Sequence, residues 1–412
     1  MNQNRNYGVF SLPVIVGALG YFVDIYDLLL FSIIRKQSLV DLGLTGDAVK
    51  NVGENIISIQ MAGLLIGGII WGVMGDKKGR LSVLFGSIIL YSLANIVNGM
   101  VTNTTQYAIV RFIAGIGLAG ELGAGITLVS ESLSKEKRGV GTAMVAGLGL
   151  TGAVVAYFIS KEFDWRICYY IGGGLGILLL LLRVSVIESG MFKEIKSRSV
   201  VRGNFFMFFT DKLRFKKYIL SILIGLPTWY VIGVLITFSD EFGKRFGITE
   251  PIQPGKAVMF AYAAISIGDL LIGLLSQWLK SRKKSLYIFY GITAIFMALF
   301  FLQKSGSTQM YLICAGLGFG TGFWAIFVTM AAEQFGTNLR ATAATTVPNM
   351  VRGALPLVIL LFKGLRSSMG YVEAGIITGI IVMIIGLTSV IFSHETFGKD
   401  LNYVEGEVVP SP

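Results

Sequence analysis

Twelve apolar runs of about 20 residues, parted by short polar turns, constrain this chain more than any other feature. Runs of that length match the hydrocarbon thickness of a bilayer, where a backbone must satisfy its own hydrogen bonds as helix. The predicted spans are 11–34, 55–75, 81–101, 105–129, 139–160 and 166–187, then 217–239, 257–279, 285–303, 308–332, 342–363 and 371–393. With 54% apolar and 14% charged residues, the chain carries more apolar surface than a water-soluble fold of 412 residues buries. The 52 glycines fit, because glycine lets membrane helices approach closely. Cys168 and Cys314 sit apart in apolar runs, so neither a disulfide framework nor a metal site is indicated. The first run lacks a small-residue cleavage pattern and is read as a span of the mature protein.

A pair Glu131…Arg138 in SESLSKEKRG recurs 202 residues later as Glu333…Arg340 in AEQFGTNLRA. GLLIGGIIWGVMGDKKGR (63–80) likewise aligns with GDLLIGLLSQWLKSRKK (268–284) at an offset of 206. The expected fold class is therefore an all-α membrane protein with 12 transmembrane helices in two pseudo-symmetric six-helix bundles. The bundles are 1–187 and 217–393, with a cytoplasmic linker at 188–216, partly amphipathic helix, and a tail at 394–412. Two related membrane halves point to a transporter. No Ser/His/Asp set, metal cluster or phosphate loop accompanies the spans, so neither an enzyme nor a cofactor is expected.

The net charge of +11 does not indicate nucleic acid, because the basic residues cluster in turns. With both termini cytoplasmic, the inner segments receive 21 of the 35 Lys and Arg and the outer turns 11. That asymmetry sets the orientation, in what is expected to be a bacterial inner membrane. Arg111, Arg183 and Arg352 remain in or beside spans. Arg183, near an inner end, is expected to snorkel. Lone His394 is expected to be solvated.

GDKKGR resembles the G-x-x-x-D-R-x-G-R turn of the major facilitator superfamily, entered through Gly72, Gly75, Asp76, Gly79 and Arg80. RFIAGIGLAGELGAGITLVSE (111–131) resembles that superfamily's fourth-helix motif, SESLSKEKRG its E-x-x-x-x-x-x-R-G turn, and Asp164-Trp165-Arg166 its D-W-R before the sixth helix. ESGMFKE (188–194) is similar to the E-S-P-x-F-K-E of metabolite:proton symporters, with Gly190 for proline. HETFGKDLNYVE (394–405) is similar to the P-E-T-K-G-K-x-L tail of sugar porters and organic-ion transporters, with His394 for proline. The resemblance spans the chain from end to end.

The gate is read as Gly75, Asp76 and Arg80 with the pairs Glu131, Arg138 and Glu333, Arg340. Asp76 can meet either the positive N-terminus of a neighbouring helix or Arg138; a basic turn that only sets topology is the alternative. At the offset of 206 its counterpart is Arg282, so one complete charged lock is expected.

An ionisable side chain at the centre of a membrane helix costs about 2.5–3.5 kcal/mol on insertion scales, so each must face a cavity or a partner. Asp24 and Asp27 share one face of the first span. Helical rise places Asp27 and Arg111 each roughly 10 Å inside the outer ends of spans 1 and 4, close enough to pair. Asp24, a turn deeper, is then the less compensated carboxylate and a candidate proton carrier. The D-x-x-D resembles the first-helix motif of proton-coupled phosphate and metabolite symporters, in which an aspartate facing the fourth-helix arginine takes part in coupling. A static ion pair joining spans 1 and 4 is the alternative. Glu121, roughly 15 Å below Arg111, either completes this set or holds a packing network.

Arg352, between Pro348 and Pro356, is the candidate substrate contact, able to fork onto a carboxylate or phosphate. It also resembles the eleventh-helix arginine of organic-anion transporters. Asp269 in span 8 could neutralise it instead, and Asn349 shares its face. Tyr26, Gln60, Trp229, Tyr230 and Trp324 complete the expected cavity. The expected function is proton-coupled uptake of a small polar metabolite, an organic anion, by alternating access. The alternative is an efflux carrier or facilitator for a sugar, amino acid or drug-like solute. Expected partners are a small-molecule substrate, a proton and the bilayer, with no nucleic acid, for a chain acting as a monomer.

Overall fold

The computed structural model describes residue 8 and residues 10–183, 203–304 and 306–405. Among them, twelve helices are long and apolar enough to cross a membrane. These are α1 (Leu12–Asp41), α2 (Asn55–Lys78), α3 (Arg80–Asn98), α4 (Thr104–Ser132), α5 (Lys137–Glu162) and α6 (Trp165–Arg183), then α7 (Lys212–Ile236), α8 (Pro254–Trp278), α9 (Arg282–Leu302), α10 (Ser307–Glu333), α11 (Arg340–Met369) and α12 (Tyr371–Phe392). ESGMFKE and most of the expected linker lie outside the described residues. Several helices outrun the apolar runs that announce them. α1 continues through Arg35 and Lys36 because the backbone ladder does not stop at the first charge.

The helices form two six-helix bundles, α1–α6 and α7–α12. They meet where α2 packs on α11 and α5 on α8, the pairing a twofold repeat requires. Inside each bundle the α2–α4 contact is repeated by α8–α10. Lipid offers no hydrophobic drive for helices to associate, so close backbone approach supplies the attraction. A Cβ on Gly115 of α4 would overlap the Gln60 carbonyl oxygen, and one on Gly318 of α10 would overlap that of Ala261. Leu181, Ile295, Leu360 and Ile384 face outward, whereas Asp24, Asp27, Arg111 and Asp269 are fully buried.

Among the described residues five helices are interrupted: α5 breaks at Thr151, and the other four interruptions lie near the seam. α4 breaks between Leu118 and Glu121, and α10 between Gly320 and Trp324. α11 breaks at Ala354, next to Pro356, whose ring cannot continue the ladder. In α7, Pro227 is followed by a π-helical turn over Val231–Ile236.

Gly115→Ala and Gly318→Ala are each expected to cost about 1–3 kcal/mol by forcing helices apart. Gly174→Ala, which meets open space, should leave the melting temperature in detergent unchanged or raised. Equal melting for all three would contradict this packing.

Candidate functional site

Charges converge at the end of the molecule that carries the GDKKGR turn. Glu131, closing α4, is gripped by Arg80 at 2.7 and 3.1 Å and by Arg340 of the other half at 3.0 Å. Glu333, closing α10, contacts Arg282 at 3.2 Å and approaches Arg138 of the other half at 3.8 Å. Each glutamate thus joins an arginine of its own half to one from across the seam. Asp76 accepts from the backbone of Ala341 (3.1 Å) and Thr342 (2.8 Å) and from the Thr342 hydroxyl (2.7 Å), at the positive start of α11. Gly75 permits this approach, since a Cβ there would sit 3.0 Å from that of Ala341.

Two expectations change. Arg138 does not meet Asp76; it donates to the Ser130 carbonyl at 2.8 Å and turns toward Glu333. The second lock is present as well, because Arg282 stands 202 residues after Arg80 and does the same work. The offset of 206 had set it against Asp76, whose own place in the second half is held by exposed Trp278. The tail straps this clamp. Thr396 donates to Glu333 at 2.7 Å, and the Leu401 carbonyl accepts from Arg340 and Thr337. Burial alone would raise the Glu395 carboxyl, but the Ser281 hydroxyl and the N–H groups of Phe397, Arg282 and Lys283 outweigh it and hold it below the usual range.

Within the first bundle, Asp27 and Arg111 meet at 2.8 Å. Gln60, expected to touch substrate, instead accepts from Arg111 at 3.3 Å and donates to the Leu28 carbonyl at 3.4 Å, so it steadies the pair. Arg183 does not snorkel. It is fully buried and donates to Glu121 at 2.9 Å and to the Leu84 carbonyl at 2.6 Å, because a carboxylate of α4 is nearer than the interface. Glu121 also accepts from Ser87 at 2.6 Å and so ties α3, α4 and α6 together, the packing network the sequence allowed.

Asp24 differs from these. It is fully buried, and neither carboxylate oxygen has a hydrogen-bond partner. The cation that bears most strongly on it is Arg352, across the seam. Arg352 is buried, donates to the Asn349 side chain at 3.2 Å and stands 5.8 Å from the Trp324 ring centre, with its Nε unpartnered. Among the described residues no carboxylate lies within ion-pair distance of it. Trp324 meets Trp229 edge-on, with ring centres 6.4 Å apart, and Tyr21 and Tyr262 close the small pocket.

Three expected contacts go elsewhere. Asp269 accepts from the Ala325 N–H at 3.0 Å, so it caps the second half of α10 rather than neutralising Arg352; the buried start of that half-helix is the positive pole it reaches. Tyr26 donates to the Cys168 carbonyl and Tyr230 to the Gly375 carbonyl, each inside its own bundle. Tyr21, missed in the sequence, lies three residues before Asp24 on the same face, a spacing that could have revealed it.

Two helical segments connect pocket and clamp. One runs from Trp324 to Glu333, and the other from Arg340 past Asn349 and Arg352 to Gly353. At the far end of the molecule a second cavity, of about 270 Å³, opens between the halves and shares Trp229 with the pocket.

Residues 17–357 match the family model described as Major Facilitator Superfamily. The chain belongs to the major facilitator superfamily. As a member it is a multi-pass membrane transporter of a small molecule and not an enzyme. It is 25% identical over 445 residues to the niacin transporter NiaP of Acinetobacter baylyi, with 98% of each chain covered. It is 24% identical over 421 residues to the cis,cis-muconate transport protein of the same species, covering 96% of this chain and 97% of that one. The structure of the proton:xylose symporter XylE bound to 6-bromo-6-deoxy-D-glucose matches with a TM-score of 0.75 at 17% identity, over 96% and 98% of the two chains. That likeness shows the superfamily fold.

Thr142 and Thr329 bond across the seam at 2.9 Å, so a thiol at Thr142→Cys reports its opening. Glu131→Gln is expected to raise the alkylation rate at that thiol at least about tenfold, since removing one partner of a buried pair loosens it by well over the 1.4 kcal/mol that corresponds to tenfold. An unchanged rate would mean that the clamp does not hold the seam.

Proposed function

We propose that this transporter takes up a small organic anion together with a proton across the bacterial inner membrane, rocking its two halves about the Arg352 pocket. Both termini, the GDKKGR turn and the clamp lie on the cytoplasmic side, and the 270 Å³ cavity faces outward. The bundles 1–187 and 217–393 move as two bodies joined by the linker, and the chain acts as a monomer.

The observation that carries this reading is the open pair formed by Asp24 and Arg352. Each is buried, the charge of Arg352 bears on Asp24, and the two are not joined. A proton on Asp24 cancels the charge opposing an incoming anion and leaves the whole field of Arg352 to it. The anion in turn makes the proton more welcome on Asp24, so the two bind with mutual support. The loaded site carries one fewer uncompensated charge than a site holding the anion alone, which favours the rearrangement that closes the outer side and releases the clamp. Asp27, closed onto Arg111, fixes α1 to α4 and holds Asp24 in register.

The acids for which the two relatives are named, niacin and cis,cis-muconate, are carboxylates. A guanidinium offers such a group a two-point fork, and Trp229 and Trp324 offer flat apolar walls to its body.

In proteoliposomes, an inward proton gradient should drive accumulation of niacin or cis,cis-muconate. Asp24→Asn is expected to abolish accumulation while preserving exchange of the same acid; accumulation by the variant would remove Asp24 from the coupling. Arg352→Lys should weaken uptake by about tenfold, because a single ammonium replaces the fork. Normal uptake by Arg352→Ala would end the assignment of Arg352 as the anion's partner.

A further inference from the structure

The Arg352 pocket encloses only about 20 Å³, room for a water but not for an organic acid, whereas the outer cavity encloses about 270 Å³. With the clamp closed, an organic acid has room in the outer cavity and not yet at Arg352. The outer walls are largely apolar, through Leu28, Met61 and Leu355 among others. Two cations interrupt them, Arg35 from α1 and Lys363 from α11, one from each half. The chain makes space for the first of these, since a Cβ on Gly53 would overlap the Arg35 side chain. Opposite, the π-helical turn of α7 sets Ile232 and Gly233 into the wall, a local distortion that recurs at functional sites. Trp229 belongs to both cavities and stands between them.

We infer that the outer cavity is a loading station for organic carboxylates, distinct from the Arg352 pocket. The carboxylate sits between Arg35 and Lys363 and the apolar body lies on Leu28, Met61 and Leu355, until Trp229 moves aside and the acid passes inward. This rests on the organic-anion reading and adds that capture and transport occur at different cations. Two positive groups in a cleft with apolar, low-dielectric walls concentrate anions at its mouth. Because the cations come from opposite halves, an anion touching both draws the outer rims together, so capture itself favours closure of that side.

Thiol labelling tests this without depending on transport. Cys168 and Cys314 are buried and keep the background low. Ser32→Cys places a thiol on the cavity wall. Its rate with anionic methanethiosulfonate ethylsulfonate is compared with that for the cationic ethyltrimethylammonium reagent. Adding Arg35→Gln and Lys363→Gln is expected to lower the anion-to-cation rate ratio at least about fivefold, in line with the focusing such clefts produce. Salt at 1 M should do the same, where the screening length is about 3 Å. Niacin should slow labelling in the parent and not in the doubly neutralised protein. Arg352→Ala should leave both the ratio and the niacin effect in place. A ratio indifferent to the two glutamines, absence of niacin protection, or loss of the preference in Arg352→Ala would each overturn the loading station. Normal uptake by Arg352→Ala with the labelling pattern intact would instead remove the inner anion pocket and leave the outer one standing.

Discussion

A buried carboxylate and a buried guanidinium that face one another across the seam without joining, Asp24 on α1 and Arg352 on α11, set the terms for the rest of this structure. Uncompensated charge in a membrane interior costs several kcal/mol, and elsewhere the chain removes that cost by closing the pair. Asp27 is closed onto Arg111 and Glu121 onto Arg183, each within one bundle, where the two helices need not move apart. At the seam, by contrast, Asp24 and Arg352 are left open. A charge that is expensive when unpaired and cheap when neutralised is what a carrier needs at the point where its halves part.

The clamp at the GDKKGR end complements this arrangement. Its ion pairs are closed, but each glutamate is shared between halves, so the pairs that cross, Glu131 with Arg340 and Glu333 with Arg138, must break whenever the seam opens on that side. The two segments that start or end at the clamp, Trp324–Glu333 and Arg340–Gly353, also present Trp324 and Arg352 to the pocket. Ten to fourteen helical residues form a stiff rod, and a shift of either side chain on loading therefore reaches Glu333 or Arg340. Asp269, capping the first rod, and Asp76, capping the second, hold them where the helices are broken or begin.

Much of this was legible before any coordinates. Span length follows from bilayer thickness, and helical rise alone brought Asp27 level with Arg111. The Glu-to-Arg repeat at an offset of 202 contains the whole clamp, including Arg282 as the partner of Arg80, but a second alignment four residues out of register hid it. Other features were not accessible to sequence. Arg183 looked free to snorkel because nothing along its own helix reveals Glu121 on another. Tyr26 and Tyr230 have the composition of cavity residues, yet which face of a helix meets the seam depends on packing that periodicity does not encode in an all-apolar span. Asp269 is the natural mate of Arg352 by sequence because the break in α10 that offers it a backbone partner has no signature beyond a glycine-rich stretch.

The most direct measurement is proton exchange on ligand binding by purified protein in detergent, followed with a pH indicator in weak buffer near neutral pH. Binding of niacin or cis,cis-muconate should draw in about one proton per site in the wild type and none in Asp24→Asn. Binding without proton uptake in the wild type, or undiminished uptake in Asp24→Asn, would contradict the coupling of the proton and the anion through the open Asp24 and Arg352 pair.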